Sequence, residues 1–366
     1  MTVRIMLTGG DNGGRIYPLI AVVSELQTIA AKDGINLKIS YLGAFGLYKE
    51  FIKANNIRVH SVAAGGLRGF FGFLQALWWT YWIMPDVVLS DGGLGSFAVV
   101  LAARFYRVPV VVHECNAAPD ASNISAVKSA KAVSLAFAGA AQYLPAREKP
   151  VLIGNPVRHY ILPKLGETDQ AFAKRTLGFD SSKPLIFVNG GSQGAPSINN
   201  FIVKNLPYVL EIAQVLHQTG RENYETVLNQ VSQVAADIPE DLAAGYKAVD
   251  YFERDIKNAL IGADVVVARS GAGSIFEIAA FGKPSILIPM PGSSDDHQRL
   301  NAYEYSSTGA AIVIDEENLL SNFFINKLQS LLADPIKMAE MSAAASTFYK
   351  PGAAADLARI VLESKA

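Results

Sequence analysis

The chain of 366 residues has a single cysteine, Cys115, and almost no net charge. One cysteine cannot form an internal disulfide bond, so a reducing compartment is the natural setting. The formal charge at pH 7 is −1, and we expect no nucleic-acid partner, because phosphate binding needs clustered Lys and Arg. The first residues, MTVRIMLTGG, lead straight into a predicted buried strand. They lack an apolar core followed by a small-residue cleavage site, so no secretory signal is predicted.

Several familiar ligand motifs are also missing. The first glycine turn does not read G-x-G-x-x-G, which argues against a dinucleotide oxidoreductase. Gly9 and Gly14 have P-loop spacing, but Arg15-Ile16 follows where Lys-Ser/Thr would hold phosphate and magnesium. The five histidines have no metal-ligand spacing, and no Asp-x-Asp pair is present. We therefore expect neither a metal site nor a cofactor.

The most apolar stretch is too short to span a bilayer as a helix. Residues 69–84 read GFFGFLQALWWTYWIM, whereas a spanning helix needs about 20 apolar residues. Its large aromatic side chains suit the membrane interface, so we expect an exposed patch that touches lipid. The alternative is a helix buried against a sheet. The residues expected to contact lipid are Phe70, Phe71, Phe73, Trp78, Trp79 and Trp82.

Short β-branched runs alternate with helical stretches along the whole chain, which predicts an α/β fold with parallel sheets covered on both faces. The pattern pauses near residue 160 and then repeats its opening, a strand followed by a glycine turn. We predict two doubly wound, Rossmann-like domains, residues 1–160 and 161–349, that face an interdomain cleft. The C-terminal helix within 350–366 is expected to pack back on the first domain. The predicted strands are 3–7, 38–42, 87–89, 108–113, 185–188, 214–217, 265–268, 285–289 and 311–314.

Four glycine turns follow predicted strands, two in each predicted domain. Glycine allows backbone N–H groups to approach an anion, and a following helix adds its positive end. In open parallel sheets, ligands bind beyond the carboxyl ends of the strands. Four such turns favour a ligand site far more than one would. The turns are residues 8–15, 91–96, 189–194 and 269–274.

The fourth turn carries the most chemical information. It reads RSGAGS, and Glu277 lies about one helical turn inside the helix that follows. This order places backbone amides near a diphosphate and a carboxylate near two ribose hydroxyls; alternatively, Glu277 is a solvated residue near a helix N-terminus. Residues 295–301, DDHQRLN, follow another strand and can either bind sugar hydroxyls or solvate a loop.

Seven segments, in order, resemble the MurG family of transferases over essentially the whole chain. This resemblance implies the GT-B fold and inverting transfer of N-acetylglucosamine from UDP-N-acetylglucosamine to undecaprenyl-pyrophosphoryl-N-acetylmuramyl-pentapeptide, a step of peptidoglycan synthesis. It also implies a peripheral enzyme on the cytoplasmic side of the cell membrane, with its apolar patch on the inner membrane surface. The N-terminal domain would serve the acceptor and the C-terminal domain the donor. The segments are TGGDNGGRIYP, HECNAAPDASN, GNPVR, GGSQGA, HQTG, RSGAGSIFEIAAFGKPSILIP and HQRLNA.

The resemblance also implies site residues, position by position. Asn12, Gly13 and Gly14 would line the sugars, and Asn116 would bind the donor sugar. Arg158 and Ser192 would meet the diphosphate side of UDP, and the backbone at Glu253 would read the uracil edge. Gln298 would contact the N-acetylglucosamine hydroxyls. The ribose and phosphates would be wrapped by Ala272, Gly273, Ser274, Ile275, Phe276 and Glu277.

The chain departs from the family pattern mainly in its acceptor half. Arg15 stands where the family has a histidine, its proposed base, and Asp120 replaces a glycine. Arginine stays protonated in the working range, so Arg15 can neutralise phosphate but cannot accept a proton. A carboxylate must then be the base. The candidates are Asp11, Asp91 and Glu114, and Asp91 is the preferred one because it begins the second turn; alternatively, Asp91 only caps the next helix.

Two other functions fit the same sequence. The chain could be a GT-B transferase that uses another acceptor, since the acceptor half is the altered one. It could instead be a donor-binding scaffold with impaired catalysis. Product formation from UDP-N-acetylglucosamine and lipid-linked acceptor distinguishes these possibilities.

Overall fold

The computed structural model describes residues 2–63, 68–93, 95–146, 149–163, 169–191, 193–252 and 255–365. The chain forms two compact units. The N-terminal unit contains Met1–Arg158, Ser294–His297 and Lys350–Ala366, and the C-terminal unit contains His159–Ser293 and Gln298–Tyr349. The roles predicted for the two domains stay predictions.

The N-terminal unit is built on a parallel sheet, seven-stranded in its described residues, with the order β3-β2-β1-β4-β5-β6-β7. Its core strands are buried on both faces, as the continuous apolar runs predict. The strands are β1 Thr2–Thr8, β2 Asn36–Gly43, β3 Arg58–Ser61, β4 Val87–Ser90, β5 Val110–Glu114, β6 Ala132–Leu135 and β7 Val151–Leu152. The helices are α1 Gly13–Asp33, α2 Lys49–Ala54, α3 Arg68–Ile83, α4 Ser96–Phe105 and α5 Ala121–Val127.

The C-terminal unit repeats this plan around a parallel sheet that has six strands in the described part of the chain, in the order β10-β9-β8-β11-β12-β13. The strands are β8 Leu185–Asn189, β9 Gln214–Gln218, β10 Tyr246–Val249, β11 Val265–Ala268, β12 Ser285–Leu287 and β13 Ala311–Val313. The helices up to the fourth glycine turn are α6 Gln170–Thr176, α7 Pro196–Lys204, α8 Leu206–Leu210, α9 Tyr224–Val234, α10 Glu240–Ala243 and α11 Ile256–Gly262. Those that follow are α12 Ala272–Ala280, α13 His297–Ser307, α14 Ser321–Leu332 and α15 Pro335–Phe348.

The last helix, α16 Ala353–Ser364, packs on α1 of the N-terminal unit. Leu357, Ala358 and Val361 are buried in the same apolar cluster as Leu19 and Leu26 of α1. Helices α1 and α16 therefore share one core.

All nine predicted strands are confirmed, but four others escaped prediction. These four are β3, β6, β7 and β10, of which β3, β7 and β10 lie at sheet edges. An edge strand needs only one paired side, so its sequence can carry charged residues such as Arg58 or be only two residues long, as β7 is. The continuous apolar run used to recognise buried strands is absent from such segments.

Candidate functional site

The glycine turns lie where each sheet reverses its winding direction. In the N-terminal unit, β1 and β4 are neighbours, and successive strands then run outward on opposite sides of this pair. In the C-terminal unit, β8 and β11 have the same relation. The first and second turns follow β1 and β4, and the third and fourth follow β8 and β11. Each unit thus carries two glycine turns at the switch point, the position where ligands bind in this class of sheet.

The first turn leads into α1 with little room for side chains. The amides of Arg15 and Ile16 both donate to the Asn12 carbonyl, which begins the helix. A Cβ atom on Gly13 would come 2.9 Å from both the Tyr17 ring and the Tyr48 hydroxyl, so a larger residue would have to displace these side chains. Asp11, Asn12 and Gly14 are exposed and stand together at the start of the helix.

Arg15 is directed into the protein. Its Nη2 atom lies 2.6 Å from Asp120 Oδ2, and its Nη1 atom donates to the Asp91 carbonyl oxygen. Only 13% of the Arg15 side chain is exposed. Burial alone would lower the pKa of the guanidinium, but the surrounding acidic groups, Cys115, Asp120, Asp91 and Glu114, raise it above its usual value. Arg15 therefore stays charged, and both ends of its guanidinium are already engaged.

Two carboxyl groups, Asp91 and Glu114, lie buried beneath these turns, and the pKa of each is raised. Burial raises the pKa of Asp91 well above its ordinary value, against the opposing effect of Arg15. Neither carboxyl oxygen of Asp91 has a hydrogen-bond partner among the described residues, so Asp91 does not cap α4. Burial also raises the pKa of Glu114, to about 7, although Arg15 and the hydrogen bond from Asn123 lower it. Glu114 is thus the carboxyl that changes charge near neutral pH.

The two other predicted ligands of the N-terminal unit are both buried. The backbone amide of Asn116 donates to Glu114 Oε1 at 2.8 Å, and the side-chain Nδ2 of Asn123 donates to Glu114 Oε2 at 2.7 Å. The Arg158 guanidinium lies 3.9 Å from the centroid of the Tyr17 ring. Asn116 and Glu114 are therefore coupled through a hydrogen bond, and Arg158 packs against α1.

The fourth turn presents the start of α12. Gly271 is the N-cap residue and has no side chain that could cap the helix. The first backbone amides of α12, from Ala272 to Ser274, are therefore placed to donate hydrogen bonds to a bound anion. Glu277 is half-buried and lies one turn further along the same helix. The turn is anchored from below by Arg269, which donates to the carbonyls of Ile288 and Pro289.

Gln298 is tied to this turn. The Ser270 hydroxyl donates to the Gln298 carbonyl at 2.7 Å, and Gln298 Oε1 accepts from the Met290 amide at 3.1 Å. The structure thus brings Gln298 beside the residues predicted to hold the ribose and phosphates. Ile275 and Phe276 are buried and face the core of the unit. Ser192 and Glu253 lie outside the described residues.

Comparison with known proteins decides the family. Residues 5–135 match the N-terminal domain of glycosyltransferase family 28, and residues 185–357 match its C-terminal domain. A Moorella thermoacetica protein is 32% identical over 99% of both chains. A Bacillus anthracis protein is 32% identical over 90% of this chain and 91% of its own. Both are named UDP-N-acetylglucosamine–N-acetylmuramyl-(pentapeptide) pyrophosphoryl-undecaprenol N-acetylglucosamine transferase.

The chain belongs to the MurG family. Among solved structures, Acinetobacter baumannii MurG matches with a TM-score of 0.75 at 24% identity over 99% of both chains. UDP-GlcNAc 2-epimerase from Neisseria meningitidis, bound to UDP-GlcNAc, matches with a TM-score of 0.70 at 13% identity over 99% of this chain and all of that one. The predicted family, the α/β GT-B fold class and the glycosyltransferase assignment are confirmed.

The aromatic segment of this MurG family member is amphipathic. Phe70, Phe71, Trp78 and Trp82 are each at least 60% exposed, as predicted for lipid contact. Phe73 and Trp79, which were predicted to join them, are partly buried and pack against the core of the N-terminal unit. Residues three and four apart share a helix face, so α3 presents one aromatic face outward and turns the other inward. No described helix combines the length and the apolarity needed to cross a membrane.

Asp120 is the site residue that sequence reasoning noted without assigning a role. Its Oδ1 atom accepts from the Asn123 amide at 2.9 Å, which makes it the N-cap of α5, while its Oδ2 atom receives Arg15. Asp before a helix is a recognisable cap. The pairing with Arg15, 105 positions earlier, is visible only in the fold.

Proposed function

We propose that the chain transfers N-acetylglucosamine from UDP-N-acetylglucosamine to undecaprenyl-pyrophosphoryl-N-acetylmuramyl-pentapeptide, with inversion at the anomeric carbon. The observation that carries this proposal is the match of 32% identity over 99% of the chain to a transferase named for that reaction. Paired glycine turns at both switch points support it, since they supply two places for phosphorylated ligands.

The C-terminal unit is proposed to bind the donor. The diphosphate would accept bonds from the amides that begin α12, at the positive end of the helix. Glu277 would accept bonds from the ribose hydroxyls, and Gln298, held by Ser270 and Met290, would contact the sugar. Ser192 and the backbone at Glu253 stay predicted contacts to the diphosphate and the uracil.

The N-terminal unit is proposed to bind the acceptor next to its exposed first turn. Asn12, Gly13 and Gly14 would line the sugars, and Asn116 would reach the donor sugar. Asp11, exposed at the same turn, stays a weaker candidate for the base.

Glu114 is the proposed proton acceptor. The sequence favours Asp91, but burial raises the pKa of that carboxyl well above its ordinary value, which favours the protonated form, and a protonated acid is not a proton acceptor. The pKa of Glu114 is raised only to about 7, which suits a general base working near neutral pH. Its hydrogen bond from the Asn116 amide connects it to a predicted sugar ligand.

The exposed face of α3 is proposed to rest on the inner membrane surface, on its cytoplasmic side. Tyr81 on this face contacts the Tyr106 ring, which in turn contacts the ring of exposed Phe105 at the end of α4. Arg104 and Arg107 are exposed beside Phe105. Apolar and aromatic side chains next to basic ones favour an anionic lipid surface.

The scaffold alternative is favoured by one observation, the engagement of Arg15 with Asp120 where the family has its proposed base. The decisive experiment supplies purified protein with UDP-N-acetylglucosamine and the lipid-linked muramyl-pentapeptide, and measures the disaccharide product. Turnover supports the proposal. Turnover only with another acceptor supports a related transferase, and donor binding without any turnover supports the scaffold.

A further inference from the structure

Two departures from the family pattern, Arg15 and Asp120, meet in the fold. Their side chains lie 2.6 Å apart, with exposures of 13% and 19%. A half-exposed ion pair contributes little to stability, but a pair removed from water imposes a cost on either partner left alone. The two residues therefore depend on each other.

The pair joins three segments of the N-terminal unit. Arg15 comes from the first turn of α1 and donates to the Asp91 carbonyl, where the second glycine turn begins. Asp120 caps α5 and also accepts from the Gly93 amide at 3.1 Å. A bond from the Gly93 amide to the Ser122 hydroxyl, at 3.0 Å, adds to this connection.

The glycines of the second turn are shaped around Arg15. A Cβ atom on Gly92 would stand 2.7 Å from Arg15 Nη1, and one on Gly93 would stand 3.0 Å from Arg15 Cδ. Both glycines have positive φ, 72° and 86°, so they cannot be replaced without strain. The arginine thus fills the space between the two turns.

We propose that Arg15 and Asp120 act together as positioning residues, a buried clamp that holds both glycine turns of the N-terminal unit in the arrangement needed for transfer. Arg15 does not contact the substrate directly in this proposal, because both ends of its guanidinium are hydrogen-bonded within the protein. The part of this inference that concerns transfer rests on the proposed function.

The test is a double-mutant cycle with Asp120→Asn, Arg15→Gln and the two combined. Asp120→Asn leaves a buried guanidinium without its carboxylate, whereas Arg15→Gln leaves Asp120 with bonds from Gly93, Ser122 and Asn123. The first change should therefore be the more harmful, and the double variant should lose less than the two single losses combined.

Two readouts separate positioning from general stability. Hydrogen exchange of the peptide spanning residues 90–96 should accelerate about tenfold or more in Asp120→Asn, because the Gly93 amide loses its carboxylate acceptor and keeps only the Ser122 hydroxyl, while the turn loses its ionic link to Arg15. At a temperature well below melting, kcat should fall about tenfold or more, while the affinity for UDP-N-acetylglucosamine stays within about twofold. Asp86→Asn is the matched control. It breaks the Arg4–Asp86 pair of the same unit, at 3.2 Å, and should leave both readouts unchanged.

Unchanged exchange in Asp120→Asn, or strictly additive effects in the cycle, would overturn the clamp. So would accelerated exchange with normal kcat, which would leave the pair a purely structural role. The exchange experiment needs no substrate, so it decides whether the pair holds the turn even if wild-type protein makes no product. The absence of product from wild-type protein would contradict the proposed function instead.

Discussion

The two units carry the same pair of glycine turns at the same place in the sheet, but they support them differently. In the C-terminal unit, the third turn rests on neutral amides. Asn189 Oδ1 accepts from the Gly191 amide and from Gln218 Nε2, both at 2.9 Å. Beneath the fourth turn, Arg269 Nη2 lies 2.5 Å from Glu316 Oε2. Arg269 Nη1 donates to the backbone carbonyls of Ile288 and Pro289.

The N-terminal unit has a similar ion pair, Arg15–Asp120, but adds two buried carboxyl groups, Asp91 and Glu114, beneath its turns. Arg15, Asp91, Glu114 and Asp120 lie close enough to influence one another's pKa values. Fixed dipoles suit the binding of an anion whose charge does not change, and they cost no reorganisation. A group that takes up a proton must instead be able to change its charge near the working pH. The difference supports the proposal that the C-terminal unit binds the anion and the N-terminal unit carries the proton acceptor.

The largest effect should come from the titratable side of this comparison. Glu114→Gln removes the proposed proton acceptor and should lower kcat by about 10²-fold or more. Donor affinity should fall much less than kcat, because most of the proposed donor contacts lie in the C-terminal unit. In wild-type protein, the rate should rise as pH increases through about 7, since only the deprotonated Glu114 can accept a proton. Steady-state kinetics across this pH range measures both.

Asp91→Asn is the matched control for that experiment. Burial raises the pKa of Asp91 well above its ordinary value, which favours the neutral acid, and neither carboxyl oxygen has a hydrogen-bond partner among the described residues, so an amide of the same shape breaks no such bond. We expect kcat to change by less than about fivefold. A loss as large as that of Glu114→Gln would instead restore Asp91 as the base. A wild-type rate that does not depend on pH would argue against a carboxylate base altogether.

The next effect concerns the C-terminal unit. Glu277→Ala should weaken UDP-N-acetylglucosamine binding by about 1.5–3 kcal/mol, roughly 10–150-fold, the usual value for charge-assisted hydrogen bonds. The melting temperature should hardly change, because Glu277 is only half-buried. Titration calorimetry measures the affinity, with Glu225→Ala, an exposed glutamate of α9, as the control. Wild-type affinity in Glu277→Ala would remove this carboxylate from the site.

The sequence predicted the parts of the fold that depend on local pattern. Continuous apolar runs located the central strands, and the order of strand, glycine turn and helix located the candidate turns. The sequence predicted that the sheets are doubly wound, but it did not predict the order of their strands. That the turns flank both switch points follows from the strand order, which results from contacts distant in sequence.

The state of each ionisable group could not be predicted in the same way. Asp91 and Glu114 both follow strands and look equivalent in the sequence, but burial and hydrogen bonds separate their pKa values. Arg15 looked like a phosphate ligand because its partner, Asp120, is 105 positions away. For the aromatic helix, composition identified α3, but the direction of each ring depends on how the helix packs on α4.

The smallest expected effect tests a difference at the surface, since the aromatic patch belongs to the N-terminal unit. Trp78 and Trp82 are 60% and 63% exposed, and they lie one helical turn from each other with their ring centroids 5.8 Å apart. Replacing both with Ser should weaken binding to anionic vesicles by about tenfold, because interfacial binding scales with the apolar area buried. Trp79→Ser is the contrasting variant: its ring lies 3.9 Å from that of His60 and packs on the core. That change should lower the melting temperature but leave vesicle binding of the folded protein nearly intact. Co-sedimentation with anionic and with neutral vesicles measures the outcome. Equal binding by wild type and the Trp78/Trp82 variant would show that this face of α3 does not contact lipid.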